Sequence, residues 1–556
     1  MRAADAVLRY LENEGVSYVF GNPGTTEVPF MDAMVDSSIE FVLCLQENVA
    51  VSAAEGLAQA TRRPQVANLH TGPGVAQAFA SIYMAYRHRA PLVITAGNED
   101  TRFAFSEPLL HADLVEMTKP LTKWSYEPRN EDEVIPSLKR AFKVAQTPPT
   151  GPVFLSWPMD VLAREVGEDV DVSPVAVPAA PAPDPGAVAR VAEILGSAQN
   201  PAFVAGDDVA RTRSESDLVA LAEAVGAKVF NAPLALQQNF PNTHPLYASG
   251  VAPFPNLARL FLDPHDVIVV IGARVFYMYY YQANDPVPPQ ARLIHVHSDP
   301  WEVGKTYPTD VGVISSAANF IGALRAAVTQ WPGDVAGRAR ERSERLMAEG
   351  ANARSNTELW GASEKDKTPL TAAGIVATIV DVLDGDATFV DESVTSSIAP
   401  KAIPELKDSD SIFGNKAGGL GWGVGAAVGV SLGLPGRRVV CTLGDGSLMY
   451  NPQAMYTAAR QKLPILYVVM NNAGYAIIKS GTRAQKGRAF ETDTYLGMDI
   501  TGPEIDFVSL ANGLGLPAAS TSNPEELRAA LTQAVAHDGP FLLDCKLDRA
   551  IPDLPF

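Results

Sequence analysis

Cysteine and histidine are scarce in this sequence. The chain has 556 residues but only 3 cysteines, Cys44, Cys441 and Cys545, and only 8 histidines. Each cysteine lies within an apolar run, and none stands at a spacing that suits a metal ion. A disulfide framework and a zinc site are therefore not expected, and the sequence fits a reducing, cytoplasmic environment.

Long apolar runs and an excess of positive charge are also missing. No apolar run approaches the roughly 18 residues of a membrane-spanning helix, and the N-terminal segment does not resemble a signal peptide. With 44 basic and 63 acidic residues the formal net charge is −19, which disfavours binding to nucleic acid or to anionic membranes. Small molecules are the expected partners.

The rest of the composition is that of an ordinary globular protein. Hydrophobic residues make up 47% of the chain and charged residues 19%, which excludes extensive disorder. At about 150 residues per domain, the length suits roughly three or four domains.

Helical periodicity alternates with short β-rich runs in three parts of the chain. This alternation predicts an α/β fold of three doubly wound domains with mostly parallel sheets. A stretch with five prolines and a polar stretch after a charged helix (333–349) predict the linkers between them. The predicted parts are a first domain at 1–171, a proline-rich linker at 172–186, a central domain at 187–332, the helix and second linker at 333–369, and a third domain at 370–556.

One motif combines a pair of potential metal ligands with a phosphate-binding turn. The segment 444–447 (Gly-Asp-Gly-Ser) follows a predicted strand, and Asn471-Asn472 ends the next one. In a βαβ unit Asp445 and Asn472 then lie at neighbouring strand ends, where their oxygens can bind one hard cation. Two protein ligands leave most of an octahedral Mg²⁺ shell open, so a phosphorylated ligand is expected to complete it. Gly444 and Gly446 permit the tight turn, and Ser447 can donate to phosphate oxygens.

This paired motif resembles that of thiamine-diphosphate (ThDP) enzymes. The resemblance covers nearly the whole chain, and it is strongest to the benzoylformate decarboxylases, with acetolactate synthase-like proteins more distant. The segments that carry it are FGNPGTTEVPF at 20–30, LQE at 45–47, ANLHTGPG at 67–74, ITAGNE at 94–99, KWSYEP at 123–128 and AGGLG at 417–421.

The resemblance implies ThDP and Mg²⁺ as cofactors, with a pyrimidine-binding first domain and a diphosphate-binding third domain. Asp445, Asn472 and the carbonyl group of Gly474 would bind Mg²⁺. Leu420 would support the bent cofactor, and the Gly418 carbonyl would accept a hydrogen bond from its amino group. The other implied cofactor-binding residues are Val394, Thr395, Gly444, Gly446, Ser447 and Tyr475.

The same resemblance assigns the reactive end of the site. Glu47 would stand beside the aminopyrimidine of the cofactor, His70 would transfer protons, and Thr25 would bind the substrate carboxylate. A histidine that titrates near neutral pH suits such proton transfer. The implied substrate pocket contains Leu109, Leu110, Tyr279, Ile477 and Ile478, and His111 could stand at its edge.

This sequence departs from the decarboxylases at two positions. Tyr279, or a neighbouring tyrosine, stands where they have a second catalytic histidine, and Gly481 stands where they have a large aromatic residue. A tyrosine with an ordinary pKa near 10 is a weaker proton relay at neutral pH than histidine. Slower decarboxylation or a different product is the expected consequence of the tyrosine, and a wider or reshaped pocket is the expected consequence of the glycine.

The sequence thus predicts a lyase that decarboxylates a benzoylformate-like 2-oxo acid and releases CO₂ and an aldehyde. Two alternatives remain: a ThDP-dependent carboligase that forms acyloins, and a non-catalytic ThDP-binding relative. The central domain lacks a glycine-rich dinucleotide motif, so FAD is not expected. The resemblance also implies a homodimer or homotetramer with active sites at the subunit interface.

Overall fold

The computed structural model describes residues 1–167, 169–385 and 387–554. These residues form three domains, each with a six-stranded sheet flanked by helices, which confirms the predicted fold class. The described strands pair only in parallel. Strands of such sheets are buried on both faces, and the run Val267–Ile271, in which all five residues are buried, shows the resulting continuous apolar sequence.

The first domain has strand order β2-β1-β3-β4-β6-β5. Its strands are β1 (Tyr18–Gly21), β2 (Glu40–Leu43), β3 (Gln65–His70), β4 (Leu92–Asn98), β5 (Ser125–Tyr126) and β6 (Val153–Pro158). Its helices are α1 (Ala3–Asn13), α2 (Val28–Ala33), α3 (Glu47–Thr61), α4 (Thr71–His88), α5 (Leu114–Thr118), α6 (Val134–Gln146) and α7 (Met159–Ala163).

The central domain has strand order β12-β11-β10-β7-β8-β9. Its strands are β7 (Pro201–Ala205), β8 (Lys228–Asn231), β9 (Tyr247–Gly250), β10 (Val267–Ile271), β11 (Arg292–His297) and β12 (Val311–Ile314). Its helices are α8 (Pro185–Ser197), α9 (Asp207–Arg211), α10 (Glu215–Val225), α11 (Pro255–Leu262) and α12 (Ala317–Val328), and the long helix α13 (Gly333–Glu364) follows.

The third domain repeats the strand arrangement of the first, in the order β14-β13-β15-β16-β18-β17. Its strands are β13 (Ala387–Glu392), β14 (Ile412–Gly414), β15 (Arg438–Gly444), β16 (Ile465–Asn471), β17 (Ala518–Thr521) and β18 (Phe541–Lys546). Its helices are α14 (Ala372–Val382), α15 (Ile398–Ala402), α16 (Trp422–Gly433), α17 (Asp445–Leu448), α18 (Ala454–Arg460), α19 (Ala476–Ala484), α20 (Arg488–Thr492), α21 (Phe507–Gly513) and α22 (Pro524–Ala536).

Helices α3 and α16 join the first and third domains through a close helix–helix contact. A Cβ atom added at Gly429 would lie 1.8 Å from the Ala53 carbonyl oxygen, and one at Gly425 would lie 2.0 Å from Ser52 Oγ. Because contacts advance together along both helices, the two run parallel, and they share one apolar core. Glycines at four-residue spacing permit this approach of two backbones.

The two segments predicted as linkers differ in structure. Residues 171–184 of the proline-rich stretch form neither helix nor strand, and α8 begins directly after them at Pro185. The expectation of a linker over 350–369 is wrong for most of that stretch, because α13 continues to Glu364. Few residues of this helix are buried, so its polar composition matches a solvent-exposed helix as well as a loop. Within the described ranges, no helix has the length and apolar character needed to cross a membrane.

Candidate active site

Two neighbouring strand ends of the first sheet carry the predicted reactive residues. His70 is the last residue of β3, and Thr25 begins a short 3-10 helix (Thr25–Glu27) that follows β1. The chain leaves β1 toward β2 and leaves β3 toward β4, on opposite sides of the pair. A crevice at the carboxyl ends of two such strands is the usual ligand site of an open α/β sheet.

His70 is held by a carboxylate, that of Glu27, which no sequence pattern predicts as a site residue. Its Nδ1 atom lies 2.7 Å from Glu27 Oε2, and that carboxylate also accepts the Gly97 N–H at 2.7 Å and the Gly24 N–H at 2.9 Å. The hydrogen bond to Glu27 raises the pKa of His70, and partial burial opposes the rise. The only signal in the sequence was an acid three residues after Gly24, a pattern that equally suits an ordinary helix cap.

Glu47 lies beside the same histidine. It is the first residue of α3 and is 6% exposed. A Cβ atom added at Gly74 would lie 3.2 Å from Glu47 Oε1 and 3.5 Å from His70 Cβ, so both side chains border the first turn of α4. The charge of Glu47 also contributes to the raised pKa of His70.

Thr25 is exposed at the mouth of this cluster. Its neighbour Thr26 is buried, with Oγ1 3.2 Å from His70 Nδ1. Gly24 has no space for a side chain, because an added Cβ atom would lie 2.2 Å from the His70 ring. The turn before Thr25 is therefore packed directly on the imidazole.

The predicted metal ligands lie together at the carboxyl edge of the third sheet. Asp445 follows β15 and is 3% exposed. Its Oδ2 accepts the Gly474 N–H at 3.2 Å, and the Asn472 Oδ1 accepts the same N–H at 3.2 Å. Burial raises the pKa of Asp445, while backbone N–H groups oppose the rise.

The chemistry of this donor set fits a hard divalent cation. Asp445 forms no ion pair with a side chain in the part of the chain that the structure describes. The described residues also include no group of three or more His, Cys, Asp or Glu side chains arranged to hold a metal. A cation at Asp445 and Asn472 would thus take its remaining ligands from main-chain carbonyl, water or phosphate oxygens, the set that Mg²⁺ prefers.

The residues predicted to bind the diphosphate surround this point. The 3-10 helix Val394–Ser396, with Thr395 at its centre, lies against β15 and α19. The Tyr475 ring lies 2.5 Å from the position of a Cβ atom at Gly446, and Ser447 Oγ lies 3.3 Å from that at Gly444. β13 and β15 are adjacent, and the chain leaves them in opposite directions, as in the first domain.

The loop with Gly418 and Leu420 connects β14 to α16. Gly418 adopts φ 76° and is exposed, whereas Leu420 is half-buried. Glu392, at the end of β13, accepts the Gly421 N–H at 2.6 Å and the Gly423 N–H at 2.7 Å, which anchors the C-terminal side of this loop. Burial raises the pKa of Glu392 to about 8.

The predicted substrate-pocket residues are spread over three regions of the chain. The Leu110 carbonyl lies 3.2 Å from the Cβ position of Gly72, close to His70, while Leu109 is 87% exposed. His111 Nδ1 lies 4.0 Å from Glu99. Tyr279 is half-exposed in the central domain and packs on Phe254. Ile477 and Ile478 lie on α19, in the third domain.

The reactive and metal-binding clusters lie in different domains. Among the described residues, no hydrogen bond or ion pair connects Glu47 or His70 to Asp445 or Asn472. Each cluster lies at a strand-end crevice of its own sheet. A single ligand that contacts both clusters would therefore have to be elongated.

In comparisons with known proteins, three family models match three separate segments of the chain. Residues 1–115 match the thiamine pyrophosphate enzyme N-terminal TPP binding domain, residues 188–324 the central domain, and residues 401–545 the C-terminal TPP binding domain. The chain is 32% identical to a benzoylformate decarboxylase from Pseudomonas aeruginosa, over 96% of each protein.

Two further relatives have similar coverage. A probable acetolactate synthase large subunit from Methanocaldococcus jannaschii is 25% identical, over 100% of this chain and 94% of the relative. The crystal structure of benzoylformate decarboxylase from Polynucleobacter necessarius superposes with a TM-score of 0.88 at 29% identity, over 100% of both chains. The chain therefore belongs to the family of thiamine-diphosphate-dependent enzymes.

Proposed function

We propose that this protein is a ThDP- and Mg²⁺-dependent decarboxylase that converts a benzoylformate-like 2-oxo acid into CO₂ and an aldehyde. The observation that carries the proposal is the cluster of Glu47, His70 and Glu27 at one crevice of the first sheet. The likeness to benzoylformate decarboxylases over the full length supports the substrate class.

The cofactor, when bound, would supply the electron sink for the carbanion that loss of CO₂ leaves. Glu47, buried at the start of α3, would hold a proton at the pyrimidine end. His70, whose pKa Glu27 raises, would donate one proton from Nε2 to the carbon that has lost CO₂ and would accept a second proton, from a hydroxyl group, during product release. Thr25, exposed beside this cluster, would hold the substrate carboxylate.

At the other end, Asp445, Asn472 and the Gly474 carbonyl would hold Mg²⁺. Ser447 and the segment around Thr395 would donate to the diphosphate, and Tyr475 would border it with Gly444 and Gly446. Leu420 and Gly418 would fix the bent shape of the cofactor.

Carboligation is the second candidate, because tyrosines occupy the position of a catalytic histidine and an acetolactate synthase is among the relatives. Purified protein supplied with ThDP and Mg²⁺ should release CO₂ and benzaldehyde from benzoylformate. The same assay with pyruvate, and with added aldehyde, tests the alternative. Acyloin as the sole product would contradict the decarboxylase proposal, and unchanged turnover of the Glu47→Gln variant would contradict the role of Glu47.

A homodimer or homotetramer would let one cofactor reach both clusters, with Glu47 from one copy and Asp445 from the other. Mixed dimers of Glu47→Gln and Asp445→Ala chains test this arrangement. If sites form between copies, one site of each mixed dimer contains both intact residues, and activity returns although each variant alone is inactive. If each site lies within one chain, mixing restores nothing.

A further inference from the structure

A buried side-chain pair of the first domain contacts the loop that carries Gly418 and Leu420. His88, the last residue of α4, is 1% exposed, and its Nδ1 lies 2.5 Å from Oε1 of the fully buried Glu55 on α3. On the opposite side of the ring, Nε2 lies 3.2 Å from Asn415 Oδ1 and 3.3 Å from the main-chain nitrogen of Lys416. The imidazole thus spans from the first domain to the third.

Asn415 in turn fixes the backbone of the loop. Its Oδ1 accepts the N–H groups of Ala417 at 2.9 Å and Gly418 at 3.2 Å, and its Nδ2 donates to the Gly419 carbonyl at 2.5 Å. One side chain therefore binds three consecutive residues just before Leu420. A loop without regular secondary structure depends on such side-chain bonds for a single conformation.

The Nε2 atom has two hydrogen-bonding groups of the loop within reach. It can donate to Asn415 Oδ1 or accept the Lys416 N–H. His88 also packs edge-on against Trp422, the first residue of α16, at a centroid distance of 5.7 Å. Both ends of the loop are consequently in contact with this histidine.

Burying an ionisable pair costs desolvation free energy, and apolar residues of similar volume are often at least as stabilising. Buried polar groups can instead select one arrangement of the elements around them. The contacts of His88 would here favour one conformation of the loop at its N-terminal end, Asn415 and Lys416, and at its junction with α16, Trp422.

We propose that His88 is a positioning residue for the cofactor: oriented by Glu55, it holds Asn415 and thereby sets the Gly418 carbonyl and the Leu420 side chain. The role of the loop in this inference rests on the proposed function. Control of the loop by a first-domain histidine follows from the contacts of His88 with Asn415 and Lys416.

Hydrogen exchange in the cofactor-free protein tests whether His88 controls the conformation of this loop. The His88→Ala variant should exchange the Ala417 and Gly418 amides at least about tenfold faster than wild type, with strand β15 unchanged, because the bonds from Asn415 are no longer fixed. His265→Ala is the matched control, since His265 is also buried, at 3% exposed, but bonds the Asn200 carbonyl in the central domain. It should destabilise the protein without changing exchange in the loop.

The affinity for ThDP tests whether the loop conformation set by His88 matters for cofactor binding. The dissociation constant for ThDP in the presence of Mg²⁺ should rise about tenfold in His88→Ala, with a similar fall in kcat and little change in the substrate KM. Asn415→Asp, which keeps the acceptor but loses the donor to Gly419, should weaken ThDP while the Ala417 and Gly418 amides stay protected. This variant and His88→Gln also serve if His88→Ala does not fold.

The outcomes separate the two proposals. A wild-type protein that does not bind ThDP would overturn the proposed function and the cofactor role of His88 together. A wild-type protein that binds ThDP, with loop exchange and affinity unaltered in the His88 variants, would overturn this inference alone.

Discussion

The imidazole of His70 and the carboxylate of Glu27 form a pair that is anchored to two strand ends. Their Nδ1 and Oε2 atoms are 2.7 Å apart, and the carboxylate is fixed by main-chain N–H groups at Gly24 and Gly97. Glu27 is 1% exposed, so its charge acts on the ring with little screening by water. The pair fixes the orientation of the ring and also sets its acidity.

Glu27→Gln should shift the alkaline side of the activity profile to lower pH. Glu27 raises the pKa of His70, so its removal returns that pKa toward about 6.5 and the donating form is lost at lower pH. The contribution of the pair to folding stability also decreases with rising pH. It is complete below the unfolded-state pKa of about 6.5 and is lost as the pH rises through the raised pKa of His70 in the folded state. The measurement is kcat/KM for the 2-oxo acid as a function of pH.

Glu99→Gln is the control for this experiment. Glu99 acts on His70 only through its charge and contributes the least of the acids around it, so its removal should shift the profile in the same direction but less. An equal profile for wild type and Glu27→Gln would show that His70 does not govern the alkaline limb.

The two adjacent asparagines should respond differently to substitution by alanine. Asn472 Oδ1 accepts the Gly474 N–H beside Asp445. Asn472→Ala should therefore raise the Mg²⁺ concentration for half-maximal activity by at least about tenfold, because the loss of a ligand oxygen weakens binding of the cation. Asn471 Nδ2 donates to the buried Asp544 at 2.7 Å. Its loss leaves a buried carboxylate without that donor.

Asn471→Ala should therefore lower the melting temperature of the cofactor-free protein while the Mg²⁺ requirement stays near that of wild type. A Mg²⁺ titration and a thermal melt on each variant give the comparison. A higher Mg²⁺ requirement for Asn471→Ala alone would reverse the assignment of the metal ligand.

A side chain at Gly429 should separate α3 from α16. An added Cβ atom would lie 1.8 Å from the Ala53 carbonyl, against main chain that cannot rotate away, and overpacking of this kind costs about 1 to 3 kcal/mol or more. Denaturant unfolding of Gly429→Ala should show this loss. Gly322→Ala, on α12 with no atom within 4 Å of the added Cβ, should instead be neutral or stabilising by about 0.5–1 kcal/mol. Equal stabilities for the two variants would contradict the close helix contact.

Periodicity and turn residues were sufficient to predict the α/β class, because buried parallel strands leave short apolar runs that end at glycine or polar residues. The strand Val267–Ile271, a run of five buried apolar residues that Gly272 follows, is an example. The continuation of α13 past residue 349 could not be predicted in this way, since a helix that buries few residues has no apolar stripe.

Side-chain partners were harder to predict than backbone elements. Asp445 and Asn472 could be paired because the βαβ unit itself brings them to one edge. Glu27 and His70 are connected only through the adjacency of β1 and β3, which the sequence does not specify. The contact of His88 with Asn415 joins two domains, and no local pattern indicates it.

Tyr279→His should accelerate decarboxylation at neutral pH. The resemblance implies that Tyr279 or a neighbouring tyrosine stands where the decarboxylases have a histidine, and we propose Tyr279 for that position. Burial raises the pKa of the Tyr279 phenol further above its ordinary value, whereas an imidazole with an ordinary pKa near 6.5 exchanges protons readily near pH 7. General acid–base groups contribute factors of about 10² to 10⁴ when well placed, so a gain of about tenfold in kcat for benzoylformate is a modest expectation. Tyr281→His is the control, because Tyr281 is 94% exposed and its substitution should leave kcat unchanged. Equal rates for the wild type and Tyr279→His would place the missing proton relay elsewhere in the pocket, and a gain with Tyr281→His would assign the histidine position to that neighbouring tyrosine.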